Sequence, residues 1–284
     1  TIMNSYKEVL KNAKSLTRKK GKETSATELL FLEFSKLSPS ELYLKYEEEM
    51  PKSSIDGFYE ALDKYLEENI PVQQIIGYVY FYGYKFLVKN TALIPRFETE
   101  ELVANTLYYY DEFFADKEVD VVDIGTGSGC LAIALAKEEN KMNLTATDIS
   151  FEALTLASEN AKNLGAEVEF IQGDMVKPLF GRKFDILVSN PPYIPNQEKV
   201  DSIIYDNEPH IALFGGEDGL DFYRQILKDA DQILKEKAMI AFEHAYDKKE
   251  ELQELAKNYF PASRVITLKD MQKKDRMTFI FIGF

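Results

Sequence analysis

Over the first seventy residues the apolar positions recur every three or four residues, the spacing of a helix with one buried face. Tyr6, Val9, Leu10, Ala13 and Leu16 make one such series, and Leu29, Leu30, Leu32, Phe34 and Leu37 a second. Ser38-Pro39-Ser40-Glu41 ends that helix and opens the next, with Ser38 as N-cap and Glu41 as its capping-box partner. A further helix over 55–66 turns Phe58, Leu62 and Tyr65 or Leu66 inward. No ionisable groups here fall into a catalytic arrangement, and the stretch reads as a small helical bundle.

The pattern then changes. Residues 75–88 are aromatic and β-branched, broken by Gly77 and Gly83 and bracketed by Pro71 and Pro95, which predicts a hairpin between two domains. From residue 119 short apolar runs alternate with helical stretches. Strands are expected at 119–124, 144–147, 168–171, 184–188, 238–242, 265–268 and 277–282, with helices at 129–138 and 150–164 between the early ones. Nearly wholly apolar strands alternating with helices indicate a parallel sheet covered on both faces. The polar turn at 269–276 is too short for a crossover helix, so the final strand should run antiparallel to its neighbour. The expected architecture is a doubly wound, mostly parallel, seven-stranded Rossmann-like sheet with an antiparallel last strand. Its domain spans 96–284, after a helical bundle at 1–70 and a linking hairpin at 71–95.

Composition narrows the function classes. At 284 residues the chain exceeds one average domain, and 45% hydrophobic content supplies ample core. Lys+Arg 34 against Asp+Glu 48 gives a net charge of −14, which argues against a protein held on nucleic acid mainly by charge. The first 22 residues run the other way, with seven basic residues and one acid, either a docking face or a solvated helix face. One cysteine, Cys130, excludes an internal disulfide, and with two histidines it leaves no obvious zinc cluster. Cys130 reads as a small residue at the packed start of a helix, not as a nucleophile. No apolar run approaches the roughly 18 residues of a membrane span, and no signal-peptide pattern opens the sequence. No membrane association is therefore expected, and the expected compartment is the cytoplasm.

Two loops carry the chemistry. The first, Asp123-Ile124-Gly125-Thr126-Gly127-Ser128-Gly129, follows the first strand of the sheet and opens a helix. Its glycines let the backbone approach a ligand closely. Asp148, at the end of the second strand, is where an acid reaches a ribose hydroxyl pair in a doubly wound sheet. Together these point to an adenosine-containing cofactor. The third glycine comes one residue too early for a dinucleotide fingerprint, and Asp123 would repel a pyrophosphate. A carboxylate there suits a cationic ligand portion, so S-adenosylmethionine fits better than a nicotinamide dinucleotide. Asp174, just past the third strand and followed by Met175, either meets the adenine edge or simply closes a turn.

The second loop is Asn190-Pro191-Pro192-Tyr193, at the carboxyl end of the fourth strand. A planar NH₂ conjugated to a carbonyl or a ring is a poor nucleophile because its lone pair is delocalised. The Asn190 side-chain oxygen and the Pro191 carbonyl can each accept one N–H bond, leaving the nitrogen aimed at a sulfonium methyl. Proline adds no competing donor, and Tyr193 offers a face for the planar group. Catalysis would be orientation and dipole stabilisation, with no metal and no covalent intermediate.

This pair of loops resembles the amino-methyltransferases of adenine, guanine and glutamine amide nitrogens. Residues 94–100 (Ile-Pro-Arg-Phe-Glu-Thr-Glu), Glu208-Pro209 and 212–220 (Ala-Leu-Phe-Gly-Gly-Glu-Asp-Gly-Leu) narrow the resemblance to the release-factor glutamine methyltransferases (PrmC/HemK), in the expected order over roughly 70–284. The resemblance implies methylation of the glutamine in the Gly-Gly-Gln motif of class 1 peptide release factors, with S-adenosylhomocysteine as by-product. It implies substrate contacts at Asn190, Pro191, Pro192 and Tyr193, with Asn190, Pro191 and Tyr193 catalytic. Cofactor contacts would fall on Gly125, Thr126, Gly127, Ser128, Gly129, Asp148, Met175 and Asn190, to which the position of Asp174 after the third strand adds that residue. A release factor is the expected partner, without direct nucleic-acid binding, and the expected state is a monomer. Phe97 stands where the family usually has proline and Gln74 where it has an aromatic residue. Residues 243–248, Glu-His-Ala-Tyr-Asp-Lys, replace its usual Glu-x-Gly-x-x-Gln. His210 could line the acceptor entrance or be structural, and His244 reads as packing or solvated. Arg96, Glu98 and Glu100 shape a cleft or form structural ion pairs. Two other functions stay open at this point: methylation of a nucleic-acid base by the same loop, and a catalytically silent binding module.

Overall fold

The computed structural model describes residues 3–284 and divides the chain into two compact units. The first comprises the residues up to Tyr78 together with Val200–Asn207. Its helices are α1 (Tyr6–Lys19), α2 (Thr24–Ser35), α3 (Pro39–Lys45), α4 (Lys52–Leu66) and α5 (Val72–Ile76). The capping box forms as expected, Ser38 Oγ accepting from Glu41 N and Glu41 Oε1 from Ser38 N. The inward stripe of α1 is Tyr6, Val9, Leu10, Ala13 and Thr17; Leu16 is 38% exposed. Thr17 is admitted to the core because its hydroxyl pairs with that of Thr27 at 2.6 Å and reaches Ala13 O at 2.8 Å. In α2 the buried apolar residues are Leu30 and Phe31, not Leu29, and Phe31 meets Phe58 edge-to-face at 5.2 Å. Ile75 and Ile76, expected at the start of a hairpin, are helical instead. Pro71 precedes α5 as its N-cap and Gly77, at φ +91°, ends it.

Several cations of the basic N-terminal stretch are taken up inside this unit. Lys7 pairs with Glu47, Lys14 with Glu28 and Lys20 with Glu67, while Lys22 Nζ donates to the Tyr65 carbonyl and Asn69 Oδ1.

The hairpin is β1 (Tyr78–Phe81) and β2 (Tyr84–Leu87), shorter than expected. The second unit continues with α6 (Thr99–Phe114), β3 (Val119–Ile124), α7 (Cys130–Glu138), β4 (Met142–Asp148), α8 (Phe151–Leu164), β5 (Val168–Gln172) and β6 (Phe184–Ser189). After α9 (Ser202–Tyr205), which belongs to the first unit, come α10 (Asp221–Ala230), β7 (Leu234–Glu243), α11 (Lys249–Tyr259), β8 (Arg264–Lys269) and β9 (Asp275–Ile282). The sheet order is β5-β4-β3-β6-β7-β9-β8, parallel except for β9, which runs antiparallel to both neighbours.

Period-two alternation feeds a separate core on each face. Val119 and Val121 of β3 join Met239 and Ala241 of β7, with Leu102 of α6 and Leu131 of α7. Val122 and Ile124 join Ile240 and Phe242 on the other face, with Tyr223 of α10 and Leu252 of α11. Asn160 of α8, buried, ties the end of β2 to the glycine loop: its Oδ1 accepts from Leu87 N at 2.8 Å and its Nδ2 donates to Ser128 O at 3.0 Å. Among the described residues no helix is long and apolar enough to cross a membrane.

Candidate active site

The parallel register brings four strand ends to one edge. Ile124 of β3 is level with Thr147 of β4 and Ser189 of β6, and Ser189 is level with Phe242 of β7. The strand order reverses between β3 and β6, the place where open α/β sheets bind ligands. A cavity of about 270 Å³ opens there.

One side of this cavity is the glycine loop. Gly125 and Gly127 hold left-handed backbone, at φ +75° and +57°. Asp148 braces the loop, its Oδ2 accepting from Gly127 N and its Oδ1 from Ser150 N, both at 2.9 Å. Burial raises the Asp148 carboxyl above its ordinary range, and the N–H donors pull it partly back. Asp123 is buried beneath the loop, where Thr126 Oγ1 donates to it at 2.7 Å. Loss of solvent pushes its carboxyl up to about 7. Cys130 also borders the cavity, and burial pushes its thiol up to about 12, which keeps it protonated and a poor nucleophile.

Of the residues expected at the site, Gly125, Thr126, Gly127, Ser128, Asp148, Asp174, Met175, Asn190 and Pro192 line the cavity. Gly129, Pro191 and Tyr193 are not among its lining residues. Gly129 instead lets α7 pack on α8: a Cβ there would stand 2.9 Å from Ile133 Cδ1 and 3.1 Å from Ala157 Cβ. Pro191 is buried. The Tyr193 hydroxyl is anchored away from solvent on Glu243 Oε2 at 3.1 Å, and burial with that carboxylate raises its pKa. Asp174 is also ion-paired with Lys177 at 3.4 Å.

Other groups at the cavity were less legible. Thr99, the first residue of α6, donates its hydroxyl to Glu243 Oε1 at 2.6 Å and accepts from Asn190 Nδ2 at 3.5 Å. Glu243 is buried at the end of β7; its pKa is raised by desolvation and drawn back by the two hydroxyl donors and Arg276. Arg96, a cavity residue, pairs with buried Glu208 at 2.5 Å, and Glu208 also accepts from Ile94 N. His210 is not a lining residue, although Pro209 and Ile211 beside it are. His244 is buried, with one ring nitrogen on Ala245 O and the other on Thr278 Oγ1, a packing role without solvation.

Among the described residues three buried side-chain oxygens have no hydrogen-bond partner: Thr91 Oγ1, Thr147 Oγ1 and Asn190 Oδ1. All three residues line this one cavity. An unpaired buried polar atom costs about 1–3 kcal/mol, so their concentration at one place fits a polar ligand that completes them. An apolar ligand would leave that cost in place.

Residues 98–211 match the model of the methyltransferase small domain, and residues 8–77 that of the PrmC N-terminal domain. The fold is shared with a methyltransferase from Pyrococcus furiosus, at TM-score 0.52 and 21% identity over 72% of this chain and 90% of that one. The release factor glutamine methyltransferase of Bacillus cereus is 40% identical, covering 96% of this chain and 97% of its own. That of Bacillus subtilis is 40% identical over 96% of both chains, and that of Staphylococcus aureus 37% over 97% and 98%. Identity of this level along nearly the full length places the chain in the release factor glutamine methyltransferase family, as an enzyme.

Proposed function

We propose that this methyltransferase modifies the side-chain amide nitrogen of the glutamine in the Gly-Gly-Gln motif of class 1 peptide chain release factors, with S-adenosylmethionine as donor. The observation that carries the reading is Asn190 Oδ1: buried, without a partner, and on a residue of the cavity wall beside the glycine loop. An acceptor oxygen in that position calls for an N–H donor, and a primary amide supplies one.

When bound, S-adenosylmethionine supplies a methyl group on a sulfonium, so transfer to the amide nitrogen yields S-adenosylhomocysteine and releases one proton. Gly125–Ser128 and Asp148 would hold the nucleoside portion, Asp174 and Met175 its base, and Asp123 a cationic portion. Asn190 Oδ1 and the Pro191 carbonyl would each take one N–H of the acceptor, aligning its nitrogen lobe with the methyl group. Such alignment, with two oxygens facing a nitrogen that gains positive charge, is worth several orders of magnitude in rate. The helical bundle would dock the protein substrate; Tyr43 and Leu44 on α3, 82% and 80% exposed, give it an apolar surface for that purpose. Release factors act at ribosomes, so the cytoplasm is the inferred setting.

The test is incubation with methyl-labelled S-adenosylmethionine and a purified class 1 release factor, in parallel with DNA and ribosomal RNA. Label mapping to the glutamine supports the reading. Label on nucleic acid with none on the release factor overturns it.

A further inference from the structure

Asn190 can serve as an acceptor only if its amide is turned with oxygen toward the cavity, and an amide rotates by half a turn at little steric cost. We propose that Glu243 and Thr99 are positioning residues that lock this orientation, by fixing the direction in which every hydrogen bond behind Asn190 runs. This rests on the functional reading above and adds to it two residues outside the acceptor loop.

The number of protons available fixes the direction of each bond. When ionised, the Glu243 carboxylate has no proton to give, so both of its oxygens accept: Oε1 from Thr99 Oγ1 at 2.6 Å and Oε2 from the Tyr193 hydroxyl at 3.1 Å. The single hydroxyl proton of Thr99 is thereby committed to Glu243. Towards Asn190 the Thr99 oxygen can only accept, so Asn190 must present Nδ2, which it does at 3.5 Å. Oδ1 then has to face away from Thr99, and it is the atom left unpaired at the cavity. Tyr193 is held by the other oxygen of the same carboxylate, so one buried group orients the first and last residues of the Asn190–Tyr193 loop. Two strand ends make this possible, since Ser189 of β6 is level with Phe242 of β7, one residue before Asn190 and Glu243 respectively. Burial raises the Glu243 pKa, and the two hydroxyl donors and the nearby Arg276 charge draw it back towards the ionised form on which this proton count depends.

Glu243→Gln keeps the shape but brings a donor into a place built for an acceptor, so Thr99 or Tyr193 must reverse. Thr99→Val keeps the volume and removes the oxygen, while Thr99→Ser keeps the oxygen. We expect Glu243→Gln and Thr99→Val each to lower kcat on the release factor by about 10- to 100-fold, the range a misoriented acceptor group produces. The affinity for S-adenosylmethionine, by calorimetry, should stay within about threefold, and the double variant should be no slower than the worse single one, because both break one chain. Thr99→Ser should recover most of the rate. Independently of any substrate, the side-chain NH₂ resonances of Asn190 should shift in Thr99→Val and Glu243→Gln and return in Thr99→Ser. Unmoved Asn190 resonances overturn the inference, as do multiplicative rate losses or cofactor affinity falling in step with kcat. Absence of release-factor methylation by the unmodified enzyme would instead refute the functional reading, and the resonance experiment would still decide the orientation.

Discussion

Gly215 lies directly against the carbonyl of Pro192, so closely that a Cβ on it would stand 2.4 Å from that oxygen. Gly219 does the same to the Tyr193 carbonyl, also at 2.4 Å and at φ +80°. Between them, Gly215 N donates to Ile194 O and Ile194 N to Leu213 O, so the 213–219 segment is laid along the acceptor loop as a brace. Gly215→Ala must push Pro192 away. We expect a stability loss of about 1–3 kcal/mol, the usual cost of overpacking, and a kcat loss larger than the change in cofactor affinity. Denaturant midpoints with steady-state kinetics check this, and a variant with unchanged kcat would show that the brace does not set the loop.

Asn190→Ala removes the orphaned acceptor itself. Turnover on the release factor should fall below detection, while calorimetric affinity for S-adenosylmethionine stays within about fivefold, a change of roughly 1 kcal/mol. Parallel loss of both would make Asn190 a cofactor ligand first.

Asp123 gives the site a pH dependence with two opposite signs. Its folded pKa of about 7 lies above its ordinary 3.8, so across that window the folded protein binds a proton that the unfolded chain does not. The stability contribution of Asp123 is therefore fully present below 3.8 and is lost as pH rises towards 7. A cationic ligand favours the ionised form, so affinity for S-adenosylmethionine should rise as pH climbs towards 7. Calorimetry across that range on the unmodified protein and Asp123→Asn is the check. Equal slopes for the two would place the cationic portion elsewhere.

Asn160 predicts a stability effect that reaches the site. Asn160→Ala strands Leu87 N, which is part-buried, and Ser128 O, which is buried, at a cost of roughly 1–3 kcal/mol for the buried group and less for the other. Amide exchange at Leu87 should accelerate with it. An unchanged denaturation midpoint would mean that water replaces the amide.

Much of the sheet was legible because each strand carries its own signal. The apolar runs at 119–124 and 277–282, and the glycine loop after the first of them, are local patterns with local causes. The Asn190–Tyr193 loop was legible because two prolines after a strand have few other readings. What escaped is what depends on pairing across the chain. Thr99 and Glu243 are 144 residues apart, and neither has a local context that marks it as polar core. Leu16 and Thr17 exchange places because the partner of Thr17 is Thr27, on another helix. Ile75 and Ile76 have the composition of a strand, but Pro71 and Gly77 bound a segment with room for only one helical turn.

The first unit is also discontinuous in the order of synthesis. Asn207 Nδ2 caps the Asn69 carbonyl at 2.6 Å, Asn69 reaches Ser202, Gln74 reaches the Asn207 carbonyl, and Ile203 packs on the apolar cluster of α1, α2 and α4. Those eight residues leave the ribosome some 120 residues after Tyr78. The contacts of Asn69 and Gln74 with this segment therefore cannot form when the bundle's own helices have been made, and water serves those polar groups until β3 to β6 and the acceptor loop have emerged. Domains generally fold in the order they are synthesised. Here the last contacts of the first unit, those made by residues 200–207, can form only after the acceptor loop has been made.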